Sequence, residues 1–443
     1  MTNHVDEAGM IPFRLPMDIE YLVIDQLADD KHSLASCSLV CSAWLNTSRT
    51  NLFRTIIIQS PVHEDNHFSD FLLFLQGRDE GSSGPLTLIA NSVREFKIRG
   101  FCLSALTEFP MNLLHAYLAV LPKLEHLSLS QLCLVDHSAA FPDQHLTVRP
   151  LKTLTIKYCE SKPYDDPRHV FEVMQLFSSI GFLTVDGTWK APLPVRLNSR
   201  LRSGPRVSGL KCGLGAPAAT ALFDQLRSSR SLTRLAHVVV RLDEDCNTTV
   251  TPAFLDEAGP NIRHLELNMD YSFDINGVIE EVPSIRLCTC TKLQLLTLWV
   301  YCMHDYLYHY DRTLVNWFGS FFRAHRQLLD RDVPSLSALR EIEFKIYPGG
   351  QVALDIFPRV TELAADWEEM ESTLLKLPSL EFVKYAFLPG WVQLPQEAEE
   401  MIAGCIRGRL PSICASRRVE VVFHSKTMSD ATYNIGISRE IKY

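Results

Sequence analysis

A short apolar phrase that recurs along the chain constrains the fold more than any other feature of the sequence. The phrase has the form apolar-x-x-apolar-x-apolar, and its first position recurs after 25 to 31 residues, with two longer intervals of 46 and 41 residues at the end of the series. The phrases are Val93/Phe96/Ile98, Leu124/Leu127/Leu129, Leu151/Leu154/Ile156, Ile180/Leu183/Val185, Val207/Leu210/Cys212, Leu232/Leu235, Ile262/Leu265/Leu267, Leu293/Leu296/Leu298, Leu339/Ile342/Phe344 and Leu380/Val383/Tyr385. Self-similar phrases with a period of about 20 to 50 residues are typical of stacked repeats, in which each unit buries its apolar side only against its neighbours.

The residues within and between the phrases predict alternating strands and helices. Each phrase alternates apolar with polar positions, as in Leu265-Glu266-Leu267-Asn268, which is the pattern of a strand with one buried side. Helical patterns lie between the phrases, at residues 104–121, 167–180, 217–229, 312–330, 364–377 and 396–409. We therefore expect an α/β fold in which residues 92–426 form a curved solenoid, with parallel strands inside and helices outside. A doubly wound α/β domain would give a similar alternation and is the alternative.

The stretch from residue 13 to residue 58 has a different, helical pattern. Apolar residues recur there at the spacing of one helical face, and a polar turn follows at residues 29–31. We expect Ser33 to cap a second helix, whose apolar stripe consists of Leu34, Cys37, Val40, Cys41 and Trp44. Short helices of this total length bury too little apolar surface to be stable alone, so the unit is expected to lean on a partner or on the next domain.

The order of residues in this stretch resembles the F-box. The residues that carry the resemblance are Leu15, Pro16, Ile19, Leu22, Leu27, Leu34, the run from Cys37 to Cys41, Trp44, Arg49, Leu52 and Phe53. In that family the motif docks on a Skp-type adaptor, which links it to a cullin ubiquitin ligase. The adaptor-binding residues that the resemblance implies are Leu15, Pro16, Ile19, Leu34, Leu39, Val40 and Trp44. From periodicity alone, the stripe could equally be the core of an ordinary helical hairpin.

The repeat region resembles irregular leucine-rich repeats, a common companion of the F-box. Residues 121–130 (LPKLEHLSLS) and 259–268 (GPNIRHLELN) carry this resemblance, although most phrases lack the asparagine that regular repeats place after the strand. The positions between the apolar ones should form the solvent face of the sheet. The candidate substrate-binding residues on that face are His126, Ser128, Thr153, Thr155, His264, Glu266, Thr297, Trp299, Glu343 and Lys345. Residues 59–91 are expected to be a linker with a short helix, and residues 427–443 a polar tail that forms either a last strand or a frayed terminus.

Composition and charge exclude several classes of protein. The net charge of −9 argues against a general binder of nucleic acid or anionic membranes. No apolar run is long enough to cross a bilayer, and the first ten residues carry acidic side chains instead of the apolar core of a signal peptide, so we expect an intracellular protein, cytoplasmic or nuclear. The 12 cysteines are scattered, which predicts reduced thiols without disulfides, and Cys288 and Cys290 lack a second ligand pair at zinc-finger spacing. We predict no metal and no cofactor.

The motifs that catalysis usually requires are absent from the sequence. There is no GxGxxG, no GxxxxGK[ST], no GxSxG and no HExxH. The F-box resemblance implies a subunit without catalytic residues, because such a subunit acts by holding the substrate near the ubiquitin carrier. We therefore expect a non-catalytic substrate receptor of a Skp-cullin-F-box type ubiquitin ligase. The alternative is an interaction scaffold that binds no adaptor.

Overall fold

A computed structural model of the protein describes residues 16–60, 67–76, 83–100, 106–135, 149–161, 168–187, 204–242, 250–269, 285–302, 313–348, 364–388 and 396–424. The chain divides into two compact units, Met1–Leu146 and Thr147–Tyr443. Leu15 and the predicted tail at residues 427–443 lie outside the described residues. None of the described helices is long and apolar enough to cross a membrane.

The first unit begins with three helices and continues with short parallel strands. Its elements are α1 (Met17–Gln26), α2 (Lys31–Cys37), α3 (Ser42–Leu52), β1 (Thr55–Gln59), α4 (His67–Gln76), α5 (Ser83–Ser92), β2 (Glu95–Arg99), β3 (Thr107–Pro110), α6 (Met111–Val120), β4 (His126–Ser130) and β5 (Leu132–Val135). Strands β1, β2 and β4 pair in parallel in that order, and β3 pairs in parallel with β5. Helices lie between β1 and β2 and between β2 and β4, which matches the repeat pattern of the sequence.

The second unit carries a longer parallel sheet. Its elements are β6 (Arg149–Lys157), β7 (Glu160–Ser161), α7 (Arg168–Gln175), β8 (Phe177–Gly187), β9 (Arg206–Leu214), α8 (Ala216–Ser228), β10 (His237–Leu242), α9 (Val250–Ala258), β11 (His264–Met269), β12 (Leu295–Cys302), α10 (Thr313–Asp332), β13 (Glu341–Pro348), α11 (Ala364–Leu375), β14 (Phe382–Phe387), α12 (Gln396–Arg409), α13 (Pro411–Ser416) and β15 (Arg418–Phe423). Nine strands, β6 and β8 to β15, pair in parallel, and their order in the sheet is their order in the chain. The predicted α/β fold with a parallel sheet is confirmed.

The repeated phrase supplies the core of both units. Its strand residues are almost completely buried, for example Phe96 and Ile98 in β2 and Leu265 and Leu267 in β11. Neighbouring phrases stand in register, so that Val383 of β14 lies beside Ile342 of β13. The apolar residues of neighbouring strands therefore lie side by side on the buried side of the sheet, as expected for a parallel sheet.

In one repeat the phrase begins three residues later than the sequence pattern predicts. We predicted Leu232/Leu235, but Leu232 lies in a short 3₁₀ turn, and the strand that follows, β10, places Val238 beside Leu210 of β9. The phrase in this repeat is Leu235/Val238/Val240, all of which are buried. The turn residue is also buried and apolar, so periodicity alone could not distinguish it from the start of a strand.

The helices of the second unit pack against one another through aromatic side chains. Phe223 of α8 stacks on Phe254 of α9 with ring centroids 4.1 Å apart, and Phe322 of α10 lies 4.6 Å from Trp367 of α11. Helix α12 has the predicted bounds of 396–409, and the predicted helix at 104–121 is shorter, because β3 occupies its first part. Both aromatic contacts join helices that follow one another in the chain.

Candidate interaction surfaces

Hydrogen bonds between side chains fix the inner face of α1 against α3. The indole Nε1 of Trp44 donates to Glu20 Oε2 at 2.7 Å, and Asn51 Nδ2 donates to Asp25 Oδ1 at 2.7 Å. Between these two bonds lies Ile24, which is completely buried. A helix whose inner face is fixed in this way must turn its opposite face away from α3.

The outer face of α1 is apolar and exposed. Ile19, Leu22 and Val23 share this face and are 43%, 57% and 52% exposed, and Met17 at the start of the helix is 47% exposed. Helical geometry places Leu22 opposite Glu20 and Ile24, with Ile19 and Val23 beside Leu22 on one flank of the helix. An apolar stripe on a helix normally faces a core, so this exposed stripe is a candidate interaction surface. We call Ile19, Leu22 and Val23 the α1 stripe.

The turn between α2 and α3 exposes two more apolar residues. Helix α2 ends at Cys37 and α3 begins at Ser42, so the single apolar stripe predicted along one second helix is wrong. In the turn, Leu39 is 86% and Val40 is 62% exposed. Asp30, and not the predicted Ser33, caps α2, and its Oδ1 accepts the backbone N–H of Ser33 at 3.0 Å.

The seven residues predicted to bind an adaptor fall into three groups, one of which is Leu15 alone, outside the described residues. Pro16, Ile19, Leu39 and Val40 are exposed. Trp44 is half-buried and bonded to Glu20, and Leu34 is completely buried in the helical unit, so both have a structural role. The list of adaptor residues omitted Leu22 and Val23, although their spacing from Ile19 places them on the same helical face.

The second surface is one side of the parallel sheet in the second unit. One register row crosses all nine strands through Thr155, Thr184, Lys211, Val239, Glu266, Thr297, Glu343, Lys384 and Glu420. These residues alternate with the buried phrase residues, so they lie on the opposite side of the sheet. We call this side the polar sheet face.

An ionic network joins four strands on the polar sheet face. Lys345 Nζ lies 2.9 Å from Glu266 Oε2 and 3.8 Å from Glu343 Oε2, and Lys384 Nζ lies 2.7 Å from Glu343 Oε1. Trp299 Nε1 donates to Glu266 Oε1 at 2.8 Å, and Lys345 Nζ stands 5.1 Å above the Trp299 ring. Each of the two carboxylates is therefore matched by a cation, so neither is left as a lone buried charge.

A row of rings lies on the same face. Phe182 and His237 have ring centroids 5.1 Å apart, and His237 lies 5.6 Å from His264 on the next strand. A side chain at Gly209, between Phe182 and His237, would meet the Phe182 ring at 2.4 Å, so the glycine makes room for that ring. Desolvation, with a smaller contribution from the neighbouring His264, lowers the pKa of His237.

The substrate-binding candidates are only partly on an open surface. Thr153, Thr155 and His264 are half-buried or exposed on the polar sheet face. The expectation of a solvent face fails for Thr297, Trp299 and Glu343, which are buried, because long side chains from adjacent strands cover them. Glu266 and Lys345 belong to the ionic network, and His126 and Ser128 lie half-buried on β4 of the first unit. The prediction omitted Phe182, His237 and Lys384.

The described residues contain no group of three or more His, Cys, Asp or Glu side chains that could hold a metal ion. Comparison with known proteins adds no assignment, since no family model matches the chain and no curated protein matches it either. The two surfaces therefore have to be interpreted from their own chemistry.

Proposed function

We propose that this protein is the substrate-recognition subunit of a Skp-cullin-F-box type ubiquitin ligase. In this proposal the helices α1 to α3 dock a Skp-type adaptor, and the repeats bind the substrate. The subunit itself carries out no chemistry and raises the local concentration of substrate near the ubiquitin carrier. Its F-box is the stretch at residues 13–58.

The observation that supports adaptor docking best is the α1 stripe. Its three apolar residues are each 43% to 57% exposed, on a helix whose other face is fixed to α3 by hydrogen bonds. Leu39 and Val40 expose further apolar surface at the next turn. Leaving this much apolar surface in water is unfavourable, at about 25 cal/mol for each Å², and a partner would remove the cost.

The order of the strands supports a repeat solenoid over a doubly wound domain. A doubly wound sheet reverses its strand order at a switch point, whereas here β8 to β15 follow one another without a reversal. Sequential order is what a stack of strand-helix repeats produces. In the proposed receptor, the polar sheet face would contribute to the substrate surface, with the exposed His237 and His264 as its most accessible side chains.

A binding measurement with a purified Skp-type adaptor tests the proposal. The intact chain should bind, and Leu22→Asp or Val40→Asp should weaken the affinity at least about tenfold, because each places a carboxylate in an apolar interface. Leu88→Asp is the matched control, since Leu88 is an equally exposed apolar residue at 59% on α5 of the same unit. Leu88→Asp should leave the affinity unchanged.

Two outcomes would contradict the adaptor proposal. One is an intact chain that does not bind the adaptor, which would leave the interaction scaffold as the better description. The other is an equal loss of affinity in Leu88→Asp, which would place the contact outside the α1 stripe.

A further inference from the structure

A series of exposed cations lies where the strands of the second unit begin. In each of the five repeats from β9 to β13, one basic residue stands directly before or directly after the first apolar residue of the phrase, and no acidic residue occupies either position. All five basic side chains are exposed. We call this series the basic rim, and it consists of Arg206, Arg234, Arg263, Lys292 and Arg340.

The backbone at the basic rim is a continuous ladder of hydrogen bonds. Ala236 N donates to Ser208 O at 3.0 Å, Arg263 N to Ala236 O at 2.8 Å, Gln294 N to Arg263 O at 2.8 Å and Arg340 N to Gln294 O at 2.9 Å. Each rim residue lies on this ladder or two residues before it in the same repeat. Since neighbouring strands are about 4.8 Å apart, the rim extends over roughly 19 Å across the five strands.

The basic rim differs from the polar sheet face because its charges are not matched within the chain. On the polar sheet face, Lys345 Nζ lies 2.9 Å from Glu266 Oε2. No rim side chain forms an ion pair with an acidic side chain in the part of the chain that the structure describes. Glu381, the next residue on the ladder after Arg340, ends the series. The chain has a net charge of −9, so a row of unmatched cations is opposite in sign to the whole and attracts an anionic partner.

We propose that the basic rim binds an extended acidic segment of a partner protein, in which Asp or Glu recurs at every second residue. An extended chain rises about 3.3 Å for each residue, so about six residues cover the rim, and alternate side chains lie on one side of the segment. Four of the five rim residues are arginine, whose guanidinium can donate two parallel hydrogen bonds to one carboxylate.

An acidic peptide suits the basic rim better than a nucleic acid does. A nucleic acid carries a charge on every nucleotide and extends beyond the rim, where the acidic remainder of the chain would repel it. A protein segment can place its few carboxylates at the rim alone. The proposal is also independent of adaptor docking, because the basic rim lies in the second unit and the α1 stripe in the first.

Fluorescence anisotropy with the full chain and a short labelled peptide, in which Glu alternates with Gly, tests the proposal. The parent should bind this peptide at least about tenfold more tightly than the same peptide with Gln in place of Glu, and added salt should weaken the binding. Because one exposed ion pair contributes little, the three central cations are removed together. Arg234→Gln/Arg263→Gln/Lys292→Gln should weaken binding of the Glu peptide at least about tenfold.

The matched control is Arg227→Gln/Lys376→Gln/Arg407→Gln, which removes three exposed cations on or next to helices α8, α11 and α12. It changes the net charge by the same amount and should change the affinity by less than about twofold. A circular dichroism spectrum and a urea midpoint like those of the parent show that each triple variant folds.

Four outcomes would overturn the proposal. They are a parent that does not bind the Glu peptide, equal binding of the Glu and Gln peptides, equal losses of affinity in the two triple variants, and tighter binding of a short single-stranded RNA than of the Glu peptide. The first two need no variant. No adaptor is present in this measurement, so none of these outcomes bears on the adaptor proposal.

Discussion

Trp44 on α3 donates its indole N–H to the carboxylate of Glu20 on α1 at 2.7 Å, and this bond sets which side of α1 faces outward. Glu20 is buried, so Trp44→Phe would leave a buried carboxylate without this donor. We expect Trp44→Phe to lower the free energy of unfolding by about 1–3 kcal/mol, measured by urea denaturation with circular dichroism.

Glu20→Gln is the matched variant for the same bond. Its amide oxygen can still accept the indole N–H, so we expect it to lose less than half of the stability that Trp44→Phe loses. If both variants were as stable as the parent, the bond would not be what holds α1 in place.

The repeat strands could be predicted from the sequence because each phrase has one physical cause. In a parallel stack the residues at the phrase positions are covered from both sides, so apolar types recur there, as Leu154, Leu265 and Ile342 show. Leu232 lies in the 3₁₀ turn before β10 and is also buried, so its apolar side chain gives the phrase pattern three residues before the strand phrase begins.

The surfaces were harder to predict, because exposure depends on what neighbouring elements cover. The break between α2 and α3 could not be read from apolar spacing, since Cys37, Val40 and Cys41 fit one helical stripe whether or not the helix continues. Nor could the burial of Trp299 be foreseen, because Lys345, whose ammonium lies over its ring, is on the next strand and 46 residues away in the chain. The alternation of apolar and polar residues along a strand predicts which side of the sheet a side chain lies on, but not whether solvent reaches that side.

Gly100 in the first unit lies close to the backbone of Gln131, and a substitution can test whether the glycine is needed there. A Cβ at Gly100 would lie 1.9 Å from the carbonyl oxygen of Gln131, whose φ of 56° places that residue in the left-handed region. Because the obstacle is backbone, we expect Gly100→Ala to lower the free energy of unfolding by about 1–3 kcal/mol in thermal or urea unfolding.

Gly404→Ala is the control, and its expected effect on the free energy of unfolding has the opposite sign. A Cβ at Gly404, in α12, meets no atom within 4 Å, and alanine has the higher helix propensity. We expect Gly404→Ala to raise the free energy of unfolding by up to about 1 kcal/mol. A Gly100→Ala protein as stable as the parent would mean that the backbone near Gln131 can move aside.

The ionic network on the polar sheet face predicts a coupled pair of substitutions. Lys345→Met removes the cation that lies 2.9 Å from Glu266 Oε2 and keeps the hydrogen bond from the Trp299 indole, so we expect a loss of about 1–3 kcal/mol in the free energy of unfolding. Lys345→Met/Glu266→Gln should lose less stability than the sum of the losses in the two single variants, with a coupling free energy of about 0.5–3 kcal/mol.

Lys292→Met is the control for removing a lysine at an exposed position, and it should change the free energy of unfolding by less than about 0.5 kcal/mol. Strict additivity of Lys345→Met and Glu266→Gln would show that the pair contributes nothing.

His325 makes the stability of the second unit depend on pH. Its imidazole is completely buried on α10, 6.2 Å from the Phe344 ring, and desolvation lowers its pKa from 6.5 to about 3. Below pH 6.5 the unfolded chain binds a proton that the folded chain does not bind. The free energy of unfolding should therefore decrease as the pH is lowered, by up to about 1.4 kcal/mol for each pH unit between about pH 6 and pH 3.

Urea denaturation from pH 7.5 to pH 4.5 measures this dependence. The free energy of unfolding of His325→Leu should decrease less steeply than that of the parent as the pH is lowered, whereas His424→Gln, at an exposed position, should follow the parent. Parallel pH profiles for the parent and His325→Leu would show that His325 takes up its proton in the folded protein as readily as in the unfolded one.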